Sequence, residues 1–511
     1  MRFISWMLER LDVFRIRIGL SYGFALAGVL LFLQVSAQNP TGSSWVWVED
    51  DFESGSLASW SSFPDQADED APGIFDGVGV GGSKAMSVTV EAGDCFLSTP
   101  IPREASEGTY TFWFHPNGIS IPSDSGWFMG NTFRVAGILG GDLWYAVAVL
   151  RMRQQDDVYK GFLEYRASDG TVVYDYAEGE FDVLNEWQKI SIHYRIDASI
   201  AVLRNDQIVR ELVVPGHAVG LPSVVVLGKS YQDNSISPQG QMLYDDACFL
   251  VPRIPDLYVD AQYGNDSAAG NSPSDALKTI QRAADKSGPG TTVHILPGLY
   301  QERLVVPFSG ESDAWIQFVG EGSGDVVLDG TGIPIRYGDG LVQLSGRSYI
   351  RLRCLNIRNS TGSGINAYGS DHIEILDNTT FDTHSSGIKL RDCGNVMVSG
   401  NSVRRAVNGG TEECITISSC VEFEVCHNSV ADGVGLYEGG EGICVKGNSL
   451  HGSVHHNAVH DLPENYDPAV HEAGEVGIYI GARNTGMTLS DVDVFCNTTS
   501  TPIGIAVSSE M

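Results

Sequence analysis

The sequence predicts an all-β protein in which an antiparallel β-sandwich is followed by a solenoid of stacked β-coils. Two observations predict this class. Short runs of alternating apolar and polar residues, separated by glycine, aspartate, asparagine and proline, fill residues 45–252. A repeating pattern of isoleucine and asparagine fills the carboxyl-terminal half. Alternation with a period of two indicates half-buried strands, and repeats at near-constant spacing indicate a solenoid.

The composition limits the partners that this chain can have. Its 511 residues suffice for two or three domains, and 59 glycines suit a turn-rich β protein. The 64 acidic residues exceed the 32 Lys and Arg, so the net charge is −32. Such a charge repels nucleic acid and anionic membranes, and we expect neither as a partner. It also disfavours a polyanionic substrate unless bound calcium or a local basic strip reverses the field.

The amino terminus carries an export signal. An apolar run at residues 18–37 follows three arginines and ends in "VSA", a small-residue cleavage site. Residues 1–37 are therefore a signal peptide or an uncleaved membrane anchor. We expect a secreted or cell-surface protein, extracellular or periplasmic, with no other membrane-spanning segment. Export permits disulfides, but the nine cysteines do not require them.

Residues 45–252 are predicted to form the sandwich, from runs such as "TYTFWFHP" and "KISIHYRI". The segments "VEDDFESGSLASW" and "MLYDDACFLVP" resemble the edges of lectin-like jelly-roll domains of the concanavalin or laminin-G kind in secreted carbohydrate-active proteins. The resemblance implies that the first and last strands meet. Asp50, Asp51, Asp245 and Asp246 then either share a structural calcium or are solvated turn acids. Cys95 and Cys248 are a candidate disulfide pair.

Residues 256–511 follow the proline-marked junction "VPRIPD". They open with a strand, a Gly/Asn/Ser loop, the amphipathic helix "ALKTIQRAADK" and a second strand. This order resembles the opening of secreted right-handed parallel β-helix proteins of the pectate-lyase-like superfamily, in which a helix caps the first coil. The resemblance covers residues 256 to about 510. It implies a right-handed parallel β-helix, here without a visible C-terminal cap.

The repeat itself can be derived from the residues. Isoleucine anchors stand at Ile365, Ile388, Ile415, Ile443, Ile478 and Ile505, and asparagines at Asn378, Asn401, Asn428, Asn457 and Asn497. The distance from anchor to asparagine is 13 residues in three successive units and 14 in the next, whereas asparagine to the next anchor lengthens from 10 to 14, 15 and 21. The constant half is scaffold and the growing half is a loop. Asparagine tolerates left-handed turns, and its amide can form a ladder along the stack.

The anchor strand places its chemistry on the outside. The anchor and the second residue after it point inward, so the first and third residues after it point outward. The first set is Asn366, Lys389, Thr416, Cys444 and Tyr479, and the second is Tyr368, Arg391, Ser418, Lys446 and Gly481. We expect a flat outer face with aromatic, hydroxyl and basic groups, overhung by the lengthening loops. In pectate-lyase-like proteins this face binds polysaccharide, as the resemblance implies.

Two columns of carboxylates accompany this face. Glu413 and Glu441 each lie two residues before an anchor, so neighbouring coils stack them about 5 Å apart. Such a pair holds calcium or acts as acid and nucleophile in a glycosidase, unless the loops splay it apart. Asp432 and Asp461 each lie four residues after an asparagine and are either calcium ligands, with Glu441, or turn residues. Cys393 and Cys420 stack as a bridge or as buried thiols, and no partners are evident that would make Cys444 a nucleophile.

The remaining candidates lie in a loop and in a histidine-rich coil. The longest loop, "DLPENYDPAVHEAGEV", offers His471 and Glu472 for substrate binding, with Tyr466, Asp467 and Glu475 nearby. The segment "GEGICVKGNSLHGSVHHNAVHDL" holds four histidines. His455 and His456 are adjacent and on a strand face opposite ways, so we interpret them as surface and ladder histidines rather than as a metal cluster.

The favoured function is an exported polysaccharide lyase that cleaves uronate-containing glycans by β-elimination. Calcium is the candidate cofactor and neutralises the sugar carboxylate. The base that removes the C5 proton is one of Lys389, Arg391, Arg404, Arg405 and Lys446. Calcium-dependent members of the resembled superfamily usually carry aspartates on the outward anchor strand, and these positions hold none.

Two alternatives remain open, because a fold alone does not imply an activity. A glycoside hydrolase would use carboxylates from Glu413, Glu441 and the long loop. Coils such as "GEGICVKGNS" resemble those of glycan-hydrolysing β-helix proteins, although those proteins often carry an acid where Cys444 and Gly481 stand. A non-catalytic surface protein would bind or adhere to a glycan through the sandwich, with Tyr368 and Tyr479 as stacking platforms. Arg404 and Arg405 are further candidate substrate-binding residues.

Overall fold

The computed structural model describes residues 44–57, 60–63, 71–90, 94–100, 107–121, 132–140, 145–155, 158–166, 171–175, 179–195, 199–213, 222–230, 239–322, 325–409, 412–434, 440–462, 476–481, 489–501 and 503–508. The chain divides into two compact units, Met1–Pro252 and Arg253–Met511. The predicted export segment, residues 1–37, lies outside the described residues. No helix within the described ranges is long and apolar enough to cross a bilayer.

The amino-terminal unit is built from antiparallel strands. They are β1 (Ser44–Asp50), β2 (Ser61–Phe63), β3 (Gly73–Phe75), β4 (Ala85–Thr89), β5 (Cys95–Pro100), β6 (Glu107–His115), β7 (Phe133–Gly140), β8 (Tyr145–Gln155), β9 (Val158–Arg166), β10 (Val172–Tyr174), β11 (Phe181–Val183), β12 (Gln188–Arg195), β13 (Ser199–Arg204), β14 (Gln207–Val213), β15 (Pro222–Ser230) and β16 (Gln241–Pro252). A 3₁₀ turn covers Val80–Gly82.

These strands form two sheets. The first has the order β14-β13-β12-β6-β16-β4-β3, with β1 on β16, and the second has the order β10-β9-β8-β7-β15-β5-β2, with β11 on β9. The first and last strands meet, because Asp50 on β1 pairs with Ala247 on β16. The antiparallel sandwich predicted for this half of the chain is therefore confirmed.

The core of this unit follows from alternation along the strands. On β6 every second residue is buried, which places Tyr110, Phe112 and Phe114 inside. One polar cluster is buried as well: Glu164 accepts hydrogen bonds from Arg134 at 2.5 Å and Arg151 at 2.8 Å. The two guanidinium groups lower the pKa of the Glu164 carboxyl, although burial alone would raise it. A buried carboxylate between two arginines is satisfied by charge and hydrogen bonds together.

The acids at the sandwich edge serve the local backbone. Asp50 accepts a hydrogen bond from the Trp60 indole at 2.8 Å, and Asp245 accepts one from the Val80 amide at 2.9 Å. Burial raises the pKa of Asp245 to about 6. Asp50, Asp51, Asp245 and Asp246 do not supply three converging ligand atoms among the described residues. A structural calcium at these acids stays a prediction.

The predicted pairing of Cys95 with Cys248 is wrong. Cys95 lies on β5 in the second sheet, and Cys248 lies on β16 in the first sheet. Neither cysteine forms a disulfide. Cys95 packs in the core between the sheets, whereas Cys248 alternates with the core residues Ala247 and Phe249 and so faces the other side of its sheet.

The carboxyl-terminal unit is a solenoid of short parallel strands. They are β17 (Asp256–Val259), β18 (Thr292–Ile295), β19 (Gly298–Tyr300), β20 (Leu304–Val305), β21 (Ile316–Gly320), β22 (Val326–Asp329), β23 (Gly340–Gln343), β24 (Ser348–Arg353), β25 (Asn356–Ser360), β26 (Ser363–Tyr368), β27 (Asp371–Leu376), β28 (Thr379–Thr383), β29 (Ile388–Arg391), β30 (Gly394–Ser399), β31 (Ser402–Arg404), β32 (Ile415–Ser418), β33 (Val421–Cys426), β34 (Ser429–Ala431), β35 (Ile443–Lys446), β36 (Leu450–His455), β37 (Ala458–His460), β38 (Val476–Gly481), β39 (Ser490–Phe495), β40 (Thr498–Thr499) and β41 (Ile503–Ser508).

Each coil gives one strand to each of three sheets. Sheet I has the order β17-β18-β21-β24-β27-β30-β33-β36-β39, sheet II the order β19-β22-β25-β28-β31-β34-β37-β40, and sheet III the order β20-β23-β26-β29-β32-β35-β38-β41. The isoleucine anchors all lie in sheet III and pair in register from Ile365 to Ile505. The predicted stack of coils is therefore confirmed.

A ladder of buried asparagines runs along one bend of the solenoid. The Asn428 carboxamide oxygen accepts hydrogen bonds from the backbone and side-chain nitrogens of Asn401, both at 2.9 Å, and its nitrogen donates to the Val398 carbonyl at 2.8 Å. Asn378, Asn401, Asn457 and Asn497 continue the pattern. The left-handed residue is the one before the asparagine, such as His427 with a φ of 57°. Asparagine is thus used here for its amide, and the predicted left-handed role belongs to its neighbour.

The capping helix is shorter than the sequence pattern suggested. Helix α1 covers Ile280–Lys286, and Thr279 caps it by accepting a hydrogen bond from the Arg282 amide. Glu302 accepts from the first two helical amides at 2.9 Å, which satisfies amides that a helix leaves unpaired. A 3₁₀ turn, Pro273–Asp275, occupies the segment before it. The helix packs on β17, β18 and β20 and covers the first coil.

Cys393 and Cys420 are stacked on adjacent coils as predicted. Both side chains are buried and both thiols are free. Their sulfurs contact backbone carbonyls, at 3.2 Å to Arg391 for Cys393 and 3.5 Å to Ser418 for Cys420. Of the two alternatives, the structure has the buried thiol stack.

Candidate functional site

The candidate site lies on the outer side of sheet III, on three successive coils. Strand β29 supplies Lys389 and Arg391, the segment before β32 supplies Glu412 and Glu413, and β35 supplies Lys446. Parallel pairing fixes their positions, because Arg391 lies beside Ser418 and Ser418 beside Lys446. Neighbouring strands are about 4.8 Å apart, so long side chains from the outer two coils reach the glutamates of the middle coil.

Glu413 is the buried centre of this group. Its carboxylate is fully buried and accepts hydrogen bonds from the Lys446 ammonium at 2.9 Å to each oxygen. The Thr416 hydroxyl donates to it at 2.8 Å, and Thr416 in turn contacts the Ser386 hydroxyl at 3.0 Å. A buried carboxylate with these partners is held in one position. Glu413 therefore positions Lys446.

Glu412 is the residue that the sequence reasoning missed. Its side chain is 19% exposed, and it lies 2.5 Å from the Lys389 ammonium and 3.5 Å from that of Lys446. Burial raises the pKa of Glu412, but hydrogen bonding and charge from the two lysines outweigh burial and lower it. Glu412 is thus an ionised carboxylate that still reaches solvent. The sequence contained one sign of this role, the two adjacent glutamates Glu412 and Glu413. Adjacent residues are usually buried to different extents, so one of the two could be expected to reach solvent.

The surroundings of Lys446 disfavour its predicted role as a catalytic base. Burial by itself lowers the pKa of this lysine, but the Glu413 and Glu412 carboxylates and Cys444 raise it well above its usual range. A base must carry a free electron pair near the pH at which it works. Lys446 stays protonated and supplies positive charge instead.

The predicted flat, open face is interrupted at its middle. Thr416 and Cys444 were expected to point to solvent, yet both are fully buried. Burial raises the pKa of the Cys444 thiol well above its usual range, and the neighbouring Glu413 carboxylate raises it further. A protonated, inaccessible thiol is not a nucleophile. Where hydroxyl groups were expected at the surface, the structure has the ion pairs of Glu412 and Glu413 with Lys389 and Lys446.

The exposed part of the face lies at Tyr368 and Arg391. The Tyr368 ring is 52% exposed, and the Arg391 guanidinium lies 5.5 Å from its centroid. Arg391 is itself 59% exposed and lies 3.3 Å from Asp392. A cation over an aromatic ring is a weakly stabilised pair that keeps its donors available. These two predicted site residues are therefore together and open to a ligand.

Tyr479 is not an open stacking platform like Tyr368. It lies two coils above Thr416 in the same column, beside Cys444, and is half-buried. Its ring lies against Gly481, where an added β-carbon would approach the phenol carbon to 2.8 Å. Glycine at position 481 is needed for this ring placement.

Arg404 and Arg405 lie on sheet II and not on the predicted face. Arg404 ends β31 and forms an ion pair with Asp432. Arg405 has a left-handed backbone, with a φ of 50°, and lies over the Phe381 ring at 5.9 Å. Lys389 lies on sheet III, so these two arginines belong to another side of the solenoid, and their predicted part in substrate binding stays a prediction.

The predicted metal set is not brought together. Glu441 lies on the coil next to Glu413, since its carbonyl accepts from the Cys414 amide at 2.9 Å, and both glutamates are fully buried as neighbours. Asp432 and Asp461 are left-handed turn residues after β34 and β37, with φ of 55° and 54°. Among the described residues these three acids do not converge on one point. The turn-residue alternative is correct for the aspartates.

His471 and Glu472, with Tyr466, Asp467 and Glu475 of the same loop, lie outside the described residues. Their predicted part in substrate binding stays a prediction. The described site consists of the network Lys389, Glu412, Glu413 and Lys446 and the exposed pair Tyr368 and Arg391.

Sequence comparison agrees with the solenoid. The family described as "right handed beta helix region" matches residues 325–494. A curated relative, the uncharacterized protein YwoF of Bacillus subtilis (strain 168), is 28% identical over 198 residues, which are 34% of this chain and 41% of that protein. The chain thus spans less than half the length of this relative.

Several solved structures match parts of this chain at low identity. Pectate lyase Pel9A matches with 12% identity and a TM-score of 0.33, over 49% of this chain and 78% of its own. The cellulose induced protein Cip1 matches with 18% identity and a TM-score of 0.28, over 40% of this chain and 96% of its own. The T. cruzi calreticulin globular domain matches with 11% identity and a TM-score of 0.29, over 40% and 87%. At these TM-scores the likenesses carry no argument about activity.

Proposed function

We propose that the protein is an exported enzyme that cleaves a uronate-containing polysaccharide by β-elimination on the outer side of sheet III. One observation carries the proposal: Glu412 is a solvent-reaching carboxylate that two lysines hold ionised, close to a sheet position that exposes an arginine and a tyrosine. Elimination from a uronate needs one proton acceptor and positive charge that stabilises the developing enolate. The network contains both kinds of group.

Arg391 and Tyr368 are the proposed sugar-binding residues. A guanidinium binds a carboxylate through two parallel hydrogen bonds, and an aromatic ring offers an apolar face to a pyranose ring. The chain as a whole has a net charge of −32, and the two lysines of the network are paired with Glu412 and Glu413. The exposed Arg391 guanidinium is therefore the group that must bind an acidic glycan against the overall charge.

Glu412 is the proposed proton acceptor. It takes the C5 proton, the released electron pair forms the C4–C5 double bond, and the bond from C4 to the glycosidic oxygen breaks. The leaving oxygen takes a proton from water. Lys446 and Arg391 stabilise the negative charge that builds on the uronate carboxylate. Because the pKa of Glu412 is lowered, the carboxylate is a weak base, and these cations must acidify the C5 proton.

Hydrolysis is the second candidate, favoured by the presence of three glutamates, Glu412, Glu413 and Glu441, on two adjacent coils. A retaining glycosidase needs one carboxyl group with a raised pKa as acid and one ionised carboxylate as nucleophile. Glu412 supplies the second kind, and Glu413 and Glu441 are fully buried. Elimination needs only the group that Glu412 supplies, so we place it first.

Calcium stays a proposed cofactor without an assigned set of ligands. The three predicted ligands do not converge, and Asp432 already binds Arg404. No step above is routed through the ion. Assays with added calcium and with a chelator measure whether the activity depends on it.

The proposal is tested by incubation with pectin, alginate and neutral glycans. Elimination produces an unsaturated uronate, which absorbs in the ultraviolet, together with a new reducing end. We expect both signals with an acidic glycan. Reducing ends without ultraviolet absorbance would replace elimination by hydrolysis, and glycan binding without either would leave a non-catalytic surface protein.

Replacing Arg391 with alanine is expected to raise KM for the acidic glycan about ten- to a hundredfold, since a hydrogen-bonded charge contact contributes about 1.5–3 kcal/mol. The turnover number should fall less if the arginine mainly binds the carboxylate. The matched control is Arg353→Ala, because Arg353 is similarly exposed and pairs with an aspartate, but lies on β24 of sheet I. Equal kinetic effects of both substitutions would contradict a sugar-binding role for Arg391.

A further inference from the structure

A second group of functional side chains lies at a bend of sheet I. Strand β33 ends at Cys426 and is followed by His427, and β36 ends at His455 and is followed by His456. The sequence repeats as "VCHN" and "VHHN", each immediately before a ladder asparagine. Parallel pairing places Cys426 beside His455. Two successive coils thus carry four adjacent cysteine and histidine side chains at one place.

The bend brings together side chains that a straight strand would separate. Neighbouring residues of a regular strand point to opposite faces, so strand periodicity predicts that His455 and His456 lie apart, as surface and ladder histidines. His427 and His456 have φ of 57° and 54°, in the left-handed region. This backbone turns each side chain back beside that of the preceding residue. As a result the Nδ1 atoms of His455 and His456 are 2.9 Å apart.

The ligand atoms of Cys426, His427 and His455 lie within 4.8 Å of one another, and no other such group of three occurs among the described residues. The rings of His427 and His456 are parallel, with centroids 5.1 Å apart. Zinc bonds are about 2.0 Å to nitrogen and 2.3 Å to sulfur. In a tetrahedral site with such bonds the ligand atoms are roughly 3.3–3.6 Å apart, so Cys426, His427 and His455 need only small side-chain rotations to reach one ion.

Glu424 orients one of the histidines. Its carboxylate lies 3.1 Å from Nε2 of His455. An ionised carboxylate can only accept a hydrogen bond, so Nε2 carries the proton and Nδ1 keeps its lone pair toward the cluster. A carboxylate behind a metal-binding histidine is the usual arrangement in zinc sites. Phe495 covers the other side, stacked on His455 at 4.6 Å.

We propose that Cys426, His427 and His455 bind a transition-metal ion of the zinc type. One thiolate and two imidazoles form a donor set that suits Zn²⁺ and disfavours calcium, which takes oxygen ligands, and they leave the fourth position to water. On binding, the Cys426 thiol gives its proton to solvent. The ion links β33 to β36 and so fastens two coils of sheet I. This site is separate from the Glu412 network, whose residues belong to sheet III.

The test uses the full chain, purified without a histidine tag and freed of metal. Equilibrium dialysis against Zn²⁺ is expected to give one tightly held ion per chain. With Co²⁺ as the probe, a sulfur-to-cobalt absorption band in the near ultraviolet is expected. Glu424→Gln should weaken Zn²⁺ binding about 10- to 100-fold, as removal of a carboxylate behind a ligand does.

Two ligand variants and one control complete the test. Cys426→Ser should abolish the cobalt–sulfur band. His427→Asn, at an exposed position, should weaken binding and keep a residue that tolerates the left-handed backbone. His451→Ala is the control. His451 lies on β36 together with His455, but its ring pairs with Asp491 at 2.7 Å. Less than one ion per chain, or equal loss in the control and in His427→Asn, would overturn the proposal. Circular dichroism of each variant checks that it is folded.

Discussion

Replacing Asn428 with alanine is expected to lower the free energy of unfolding of the solenoid by about 3–5 kcal/mol. The substitution removes the acceptor for two nitrogens of Asn401 and the donor to the Val398 carbonyl, all of them buried. Each buried polar group that loses its partner costs about 1–3 kcal/mol. The asparagine lies in the middle of the ladder, so coils on both sides are affected.

The measurement is urea denaturation together with hydrogen exchange, because a chain of two compact units need not unfold in one step. Exchange of the Asn401 amide should rise most, since its hydrogen bond to Asn428 is lost. Asn395→Gly is the matched control. Asn395 is an exposed, left-handed asparagine that donates one hydrogen bond to Asp371, and we expect a loss below about 1 kcal/mol. Equal losses in both variants would show that the ladder is not a special source of stability.

Replacing Glu412 with glutamine is expected to lower the turnover number on the acidic glycan by about 10²- to 10⁴-fold, since an amide cannot accept the C5 proton. The change keeps the size of the side chain and most of its contacts with Lys389 and Lys446. KM should change little, because the proposed sugar-binding residues are Arg391 and Tyr368. The assay follows the ultraviolet absorbance of the unsaturated product.

The control for this variant is Glu374→Gln, on β27 of sheet I, where the glutamate pairs with Arg351 at 2.5 Å. It should leave the turnover number unchanged. The pH profile gives a second check. The two lysines lower the pKa of Glu412, so the rate should fall on acidification only below the ordinary glutamate value of about 4.3. Full activity in Glu412→Gln would remove this residue from the mechanism.

The same lowered pKa has a consequence for stability. A carboxyl group whose pKa is lower in the folded state stabilises that state above its unfolded pKa, and the contribution disappears as the pH falls through the folded value. Glu412 and Glu164 both belong to this class. Acid should therefore weaken both units, each through a carboxylate held between two cationic side chains.

The large-scale architecture was predictable because it rests on periodic burial. An isoleucine that recurs at nearly the same distance from an asparagine can be buried every time only if the chain winds in superposed coils. The register from Ile365 to Ile505 and the asparagine ladder follow from that single requirement. The sandwich was predictable for the same reason, with the period of two on strands such as β6.

Local backbone turns and burial decided the rest. His456 and Arg405 have a left-handed backbone, which turns their side chains away from the direction that the alternation of a regular strand predicts. Hence two histidines expected to face apart are in contact, and Arg405 lies over the Phe381 ring of sheet II.

The amino-acid sequence by itself determined that this protein is a sandwich followed by a stack of coils, and that the isoleucine anchors lie in the core. Only the tertiary structure decided that Glu412 reaches solvent while Glu413 beside it is buried, and that Lys446 is held as a cation. The physical reason is that burial of apolar side chains is a periodic property of the chain. The ionisation and exposure of a charged side chain, in contrast, depend on its neighbours on adjacent coils. The loops between the strands determine which side chains become neighbours.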